Sequence, residues 1–243
     1  KETVAGVFSK YDFLALPVID GEGCLVGIVT VDDAVDVIQE EATEDIEKMA
    51  AITPSDKPYL KTSATETFAK RIPWLMLLMI SATFTGIIIS HFESSLGALP
   101  ILTAFIPMLM DTGGNSGSQA SVTVIRGISL GDIRFRDILK VISKELRVAL
   151  LCGTALAATA FAKVYLIDKL IMGKEITLLI AFVISATLLV TVIIAKIVGC
   201  SLPLLAKKIG FDPAVMASPF ITTIVDAFSL LIYFWFANII LKL

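Results

Sequence analysis

The apolar positions along this chain fall into two regimes. Up to about residue 71 they come in short, interrupted runs. Phe8-Ser-Lys-Tyr-Asp-Phe-Leu-Ala-Leu-Pro-Val-Ile-Asp20 reads as a helix end running into a strand, Gly21-Glu-Gly23 as a turn, and Cys24 to Thr30 as a β-rich run. From Val31 onward the spacing predicts an amphipathic helix. Thr53 to Arg71, with Pro54 and Pro58, reads as a polar connector. Five long apolar segments follow, at 72–92, 96–125, 148–167, 176–206 and 213–241. Each has about the 20 residues that a helix needs to cross a bilayer. The expected fold class is an α-helical polytopic membrane protein with five transmembrane helices, preceded by a partial α/β motif and a connecting helix. The expected domains are 1–41, 42–71 and 72–243.

Composition agrees. Hydrophobic residues make up 56% of the 243, and the mean hydropathy is +0.86, which few soluble domains reach. Cys24, Cys152 and Cys200 are too far apart to suggest a disulfide framework. One histidine, His91, and no Cys/His cluster argue against a zinc or copper site. Lys1 is not an initiator methionine and no signal peptide follows it, so the chain reads as a fragment or a processed product. No Walker motif is present, which speaks against an ATP-driven pump. No nucleic-acid partner is expected.

Basic residues set the orientation. Lys57, Lys61, Lys70 and Arg71 precede the first span. Arg126, Arg134, Arg136, Lys140, Lys144 and Arg147 lie between the second and third, and Lys207 and Lys208 between the fourth and fifth. The opposite side has only Lys169, Lys174 and Lys242. Positive charge stays inside, so the N-terminus is expected in the cytoplasm and the C-terminus outside the cell membrane. Lys163 and Lys196, within spans, either sit near an interface or line a cavity.

The last span carries the candidate chemistry. Asp226 lies near its middle, and a carboxylate there costs roughly 3 kcal/mol or more on insertion scales, which marks a functional candidate. Ser218, Thr222, Asp226, Ser229 and Tyr233 share its helical face. Pro219 is expected to leave the carbonyl of Val215 without a donor, adding one oxygen. The plainer reading of this stripe is glue between helices, but Ser and Thr alone would serve that; the Asp favours a polar pathway.

The second span holds Pro107-Met-Leu-Met-Asp111-Thr-Gly113-Gly114-Asn115-Ser-Gly117-Ser-Gln119. Glycines and amides at membrane depth predict irregular backbone along protein or a water-filled cavity. A tightly packed glycine interface is the competing reading. Beside the Asp226 stripe, the segment reads as a second pore wall.

Leu16-Pro-Val-Ile-Asp-Gly-Glu-Gly-Cys-Leu-Val-Gly-Ile-Val-Thr-Val-Asp-Asp33 resembles a CBS motif. In that family a Thr and an Asp spaced like Thr30 and Asp33 hold an adenosine ribose, which makes ATP a candidate ligand of a complete CBS pair. Asp32, Asp33, Asp36, Glu40, Glu41, Glu44, Asp45 and Glu47 follow with no base among them. Like charges four apart repel, so this run is either a solvated face or a surface that divalent cations bridge.

Taken together, the Pro107 to Gln119 motif, Arg126-Gly127 and Ser218-Pro-Phe-Ile-Thr-Thr-Ile-Val-Asp226 resemble the MgtE family of magnesium channels and transporters. The resemblance covers essentially the whole chain, without the family's N-terminal helical domain and first CBS motif. It implies a homodimer in the lipid bilayer, with a pore built from the second and fifth helices of each subunit. It implies that Asp226 of both subunits holds a largely hydrated Mg2+, with oxygens near Thr222 and Ser218. It also implies closure by cytoplasmic magnesium through the CBS region and a plug helix at about 41–52. Residue chemistry agrees: magnesium keeps several waters and takes oxygen from one or two carboxylates. Asn115 and Gln119, beside Gly114, are suited to orient those waters, and Asp111 either adds to the field or pairs with a base. The expected function is a magnesium conduit driven by the ion's own gradient, not an enzyme. The alternatives are a sodium- or proton-coupled carrier and, more distantly, an intramembrane aspartyl hydrolase using Asp111 and Asp226, although neither stands in a Gly-x-Gly-Asp motif.

Overall fold

A computed structural model describes residues 1–55 and 57–242, the side chains of Glu2 and Ser218 excepted. The chain divides into two compact units, Lys1–Lys48 with Ile52–Lys70, and Met49–Ala51 with Arg71–Leu243.

The first unit holds α1 (Glu2–Tyr11), β1 (Ala15–Ile19), β2 (Leu25–Thr30) and most of α2 (Val31–Met49). The strands pair antiparallel, from Ala15 opposite Thr30 to Ile19 opposite Leu25. Asp20 builds the turn: its Oδ1 accepts from the backbone N–H of Glu22 and of Cys24, both at 2.9 Å. Gly23 takes the positive φ of 84° that closes it. Phe8, Ala5 and Ala34 are the buried residues of this small unit. The connector is shorter than its polarity suggests. Ser63 caps α3 (Ala64–His91) by accepting from the N–H of Glu66, so the helix starts eight residues before the first apolar run.

In the second unit, α3 is followed by α4 (Glu93–Ala98), a 3-10 turn (Pro100–Phe105), α5 (Ile106–Ser129), α6 (Ile138–Ala162), α7 (Leu178–Lys208) and α8 (Ser218–Leu241). The expected second span, 96–125, is thus a short turn and then a helix beginning at Ile106. The third runs on past Ala162 as a π-helical segment, Lys163–Ile171. Four helical stretches among the described residues are long and apolar enough to cross a membrane: Ala64–His91, Phe135–Ile171, Leu178–Lys208 and Pro213–Leu241. The glycines and polar residues of α5 keep it out of that set, but α5 packs against both α7 and α8. The centre of the bundle is α7, which also packs α6 and α8. Val183, Ile184, Val192 and Ala195 on it are fully buried.

The expected irregular backbone in the glycine motif is not found. α5 is continuous from Ile106 to Ser129. The glycines serve approach instead. A Cβ on Gly113 would lie 2.6 Å from Thr191 Cγ2 of α7 and 2.9 Å from Ser229 Oγ of α8. One on Gly117 would lie 2.9 Å from Ile221 Cγ2 and 3.1 Å from the Ala195 carbonyl oxygen. A helix needs no glycine to stay helical, but it needs one to bring three axes this close.

Candidate functional site

The site begins where α8 begins. Pro219 stands in the first turn, where its missing N–H costs nothing. Val215 lies outside the helix, in the 3-10 turn Pro213–Met216. The carbonyl in use is that of Pro219 itself, which accepts from the hydroxyls of Thr222 (2.9 Å) and Thr223 (3.0 Å). Ser121 of α5 donates to the Met216 carbonyl at 3.1 Å and ties the turn to its neighbour.

One turn above Thr222 is Asp226, and both are partly exposed. Asp111 of α5 lies within electrostatic reach of Asp226. Gly114 decides this proximity. A Cβ there would sit 2.9 Å from Thr222 Cγ2, so a larger residue would push α5 off α8. Gly114 therefore contributes by its lack of a side chain. Asp111, Asn115 and Gln119 recur at steps of four and are all exposed. Asn115, Ser118, Gln119, Val122 and Thr123 line an open depression of about 580 Å³ on that face. The side chain of Ser218, expected among the ion's oxygens, lies outside the described residues.

The stripe expected on α8 divides in two. Its lower half, at Thr222 and Asp226, stays partly open. Its upper half is covered: Ser229 is buried and donates to the Val225 carbonyl at 2.7 Å, and the Tyr233 hydroxyl donates to the Leu102 carbonyl at 3.0 Å. The 3-10 turn that carries Leu102 lies over that end of α8, and Phe92 stacks on Phe234 there. Ser229 and Tyr233 are packing residues.

Two lysines inside spans prove to be paired. Lys196 of α7 and Glu145 of α6 are both buried, with Nζ 3.9 Å from Oε2. Lys163 reaches Asp168 at 2.7 Å, and Lys174 reaches the other oxygen of the same carboxylate at 3.3 Å. Glu145 and Asp168 lie outside every candidate set drawn from the sequence. Their only signal there was the need of each intramembrane lysine for a partner.

In the first unit, Thr30 and Asp33 form part of the cap of α2. The Asp33 carboxylate accepts from the backbone N–H of Thr30 at 2.9 Å and from its hydroxyl at 2.7 Å. The N–H bond, and then the hydroxyl, hold Asp33 below the ordinary carboxylate range. Asp32 lies beside it in the first turn, where the helix dipole favours acids. Further along, Asp36, Glu40, Glu41, Glu44 and Glu47 face one recess of about 620 Å³, together with Lys57 and Ser55. Glu44 pairs with Lys48. Glu47 accepts from the Ser55 N–H at 2.8 Å, so it also shapes the chain after the helix. Asp45, on the same helix, is partly buried. Among the described residues no three His, Cys, Asp or Glu side chains converge to hold a metal ion.

Comparisons with known proteins bear on both units. A family model described as a divalent cation transporter, MgtE, matches residues 106–236, and the CBS domain model matches residues 2–40. A magnesium transporter MgtE from Thermus thermophilus is 38% identical over 242 residues, covering 100% of this chain and 52% of that protein. Those from Bacillus subtilis and Enterococcus faecalis are 38% and 34% identical, over 98% and 100% of this chain. The chain spans about half the length of the curated relatives it matches. With its glycine-packed α5, its α8 carboxylate and a family match over more than half its length, the chain belongs to the MgtE family of divalent cation transporters.

Proposed function

We propose that this chain forms the membrane pathway of a magnesium conduit, assembled as a homodimer with α5 and α8 of each subunit facing the ion. The observation that carries this reading is a polar surface where a single chain has no use for one. Asp226 and Thr222 of α8 and Asp111, Asn115 and Gln119 of α5 are exposed or half-exposed, on a helix long and apolar enough to cross a membrane and on the helix packed against it. Polar groups at that depth face water or another protein surface, not lipid. A second copy placing the same surface opposite supplies both, because a two-fold axis doubles every oxygen.

In that arrangement Asp226 and its symmetry mate attract a divalent ion. Magnesium dehydrates reluctantly and keeps most of its waters. Outer-sphere contact through those waters lets the ion enter and leave. Asn115, Gln119 and the Thr222 hydroxyl orient the waters, and Asp111 adds to the field. The ion moves inward down its gradient, with the N-terminus on the cytoplasmic side as the basic residues favour. The acidic recess of α2 acts as the sensor: bound magnesium relieves repulsion among Asp36, Glu40 and Glu44, and closes the path when cytoplasmic magnesium is high. Thr30 and Asp33, on the surface at the start of α2, remain the candidate ribose contacts for ATP.

The test is magnesium uptake into liposomes carrying the wild type or Asp226→Asn, with cobalt and calcium as rivals. The substitution should lower magnesium flux at least tenfold without disrupting assembly. Equal flux in the two proteins would refute the pore assignment and return Asp226 to a packing role.

A further inference from the structure

We propose that the end of the bundle formed by the start of α6 and the end of α7 is a binding surface for anionic phospholipid headgroups. Arg134, Arg136, Lys140, Lys144, Arg147 and Lys208 are exposed there. Lys208 Nζ stands 4.3 Å from the ring centroid of Phe135, which anchors one ammonium group at the rim. Lys140 reaches Asp137 at 3.2 Å, yet its side chain is 85% exposed and its outer face is open.

The arrangement on α6 identifies the partner. Lys140, Lys144 and Arg147 form one stripe, and exposed Leu139, Leu146 and Leu150 form another. At 3.6 residues per turn the two stripes lie about 100° apart on the same exposed side. The buried side, Glu145 and Ala149, faces α7. A soluble acidic partner has no need of the leucine stripe. A phospholipid matches both, with its phosphate on the basic stripe and its acyl chains along the leucines.

The two ends of the bundle differ in charge. At the far end, Lys163 and Lys174 are both taken up by Asp168. At this end Glu145 is paired with Lys196 inside the bundle, while on the surface Lys140 meets Asp137 and Arg147 Nε donates to the Ser143 carbonyl of its own helix. General positive-inside bias calls for basic residues on one side. It does not call for their alignment along one helix beside an apolar stripe.

The test is native mass spectrometry of the protein released from detergent carrying equimolar phosphatidylglycerol and phosphatidylcholine. It needs no transport, so failure of the magnesium reading leaves it intact. Each basic residue near an anionic surface is worth about fivefold in retention. The wild type should retain phosphatidylglycerol over phosphatidylcholine, and K140Q/K144Q/R147Q should lose at least tenfold of that preference. K169Q/K242Q, at the other end, should keep it. In the wild type the preference should also fall as ionic strength rises from about 0.05 to 0.5 M. No preference in the wild type, a salt-independent preference, or a triple variant that behaves like the wild type would overturn the proposal. Displacement of the lipid by millimolar inorganic phosphate would reassign the surface to a soluble anion and overturn it as well.

Discussion

Gly199 of α7 has no room for a methyl group. A Cβ built there falls on the carbonyl oxygen of Gly117, so the backbones of α5 and α7 touch at this point. The neighbour is backbone and not a flexible side chain, so the helices must part for anything larger. Overpacking of this kind costs about 1–3 kcal/mol. Gly199→Ala should therefore lower the thermal midpoint of the detergent-solubilised protein. Gly86→Ala, at a helical position with open space around it, should leave the midpoint unchanged or slightly raised. Equal behaviour of the two would mean that the α5–α7 contact is looser than described. Asp226 is a different kind of residue. Its candidacy was legible in the sequence because a lone carboxylate in an apolar run demands a reason. The importance of Gly199 was not, because one glycine in Ile-Val-Gly-Cys-Ser gives no sign of what it meets.

Among the elements, α2 shows how one acidic run divides its labour. Charge count alone treats its eight acids as a single set. Asp33 is committed to the cap and Glu47 to the Ser55 N–H, while Asp36, Glu40 and Glu44 face the recess, Glu44 with Lys48 beside it. Neutralising Asp36, Glu40 and Glu44 together, with Glu47 left in place, should weaken inhibition of uptake by cytoplasmic magnesium severalfold and leave the far-ultraviolet circular dichroism of α2 intact. An unchanged inhibition curve would make this run a solvated face. α8 makes a related point for periodicity. Its five polar positions do share one face, but α5 at Gly113 closes over Ser229 and the 3-10 turn Pro100–Phe105 over Tyr233. A helical wheel reports which residues share a face. It does not report which other element crosses that face and where.

At the scale of the whole molecule, an exposed polar stripe on a membrane helix needs a partner, and the proposed partner is a second copy. With Cys24 and Cys152 replaced by serine, Gln119→Cys should yield covalent dimers with a short bifunctional thiol reagent in membranes. Leu151→Cys, on the outer side of α6 and 73% exposed, should not. Dimers at Leu151 alone would place the interface on the wrong helix.

The sequence by itself determined the fold class of the protein and its family. Long apolar runs force helices across a bilayer, because no other single segment satisfies its own backbone there. Asp226 and the Pro107 to Gln119 motif named the transporter family, and the spacing from Val31 onward placed α2. What the tertiary structure decided is which polar groups are spent inside. Asp168 and Glu145 neutralise lysines, Ser229 and Tyr233 bond to carbonyls, and Gly113, Gly117 and Gly199 are consumed in bringing α5, α7 and α8 together. Asp111, Asn115 and Gln119 stay exposed and Thr222 and Asp226 half-exposed, which is why they are the proposed ion surface. The physical reason is that the cost of a polar group in hydrocarbon is a property of the residue, whereas its relief depends on a neighbour contributed by another helix.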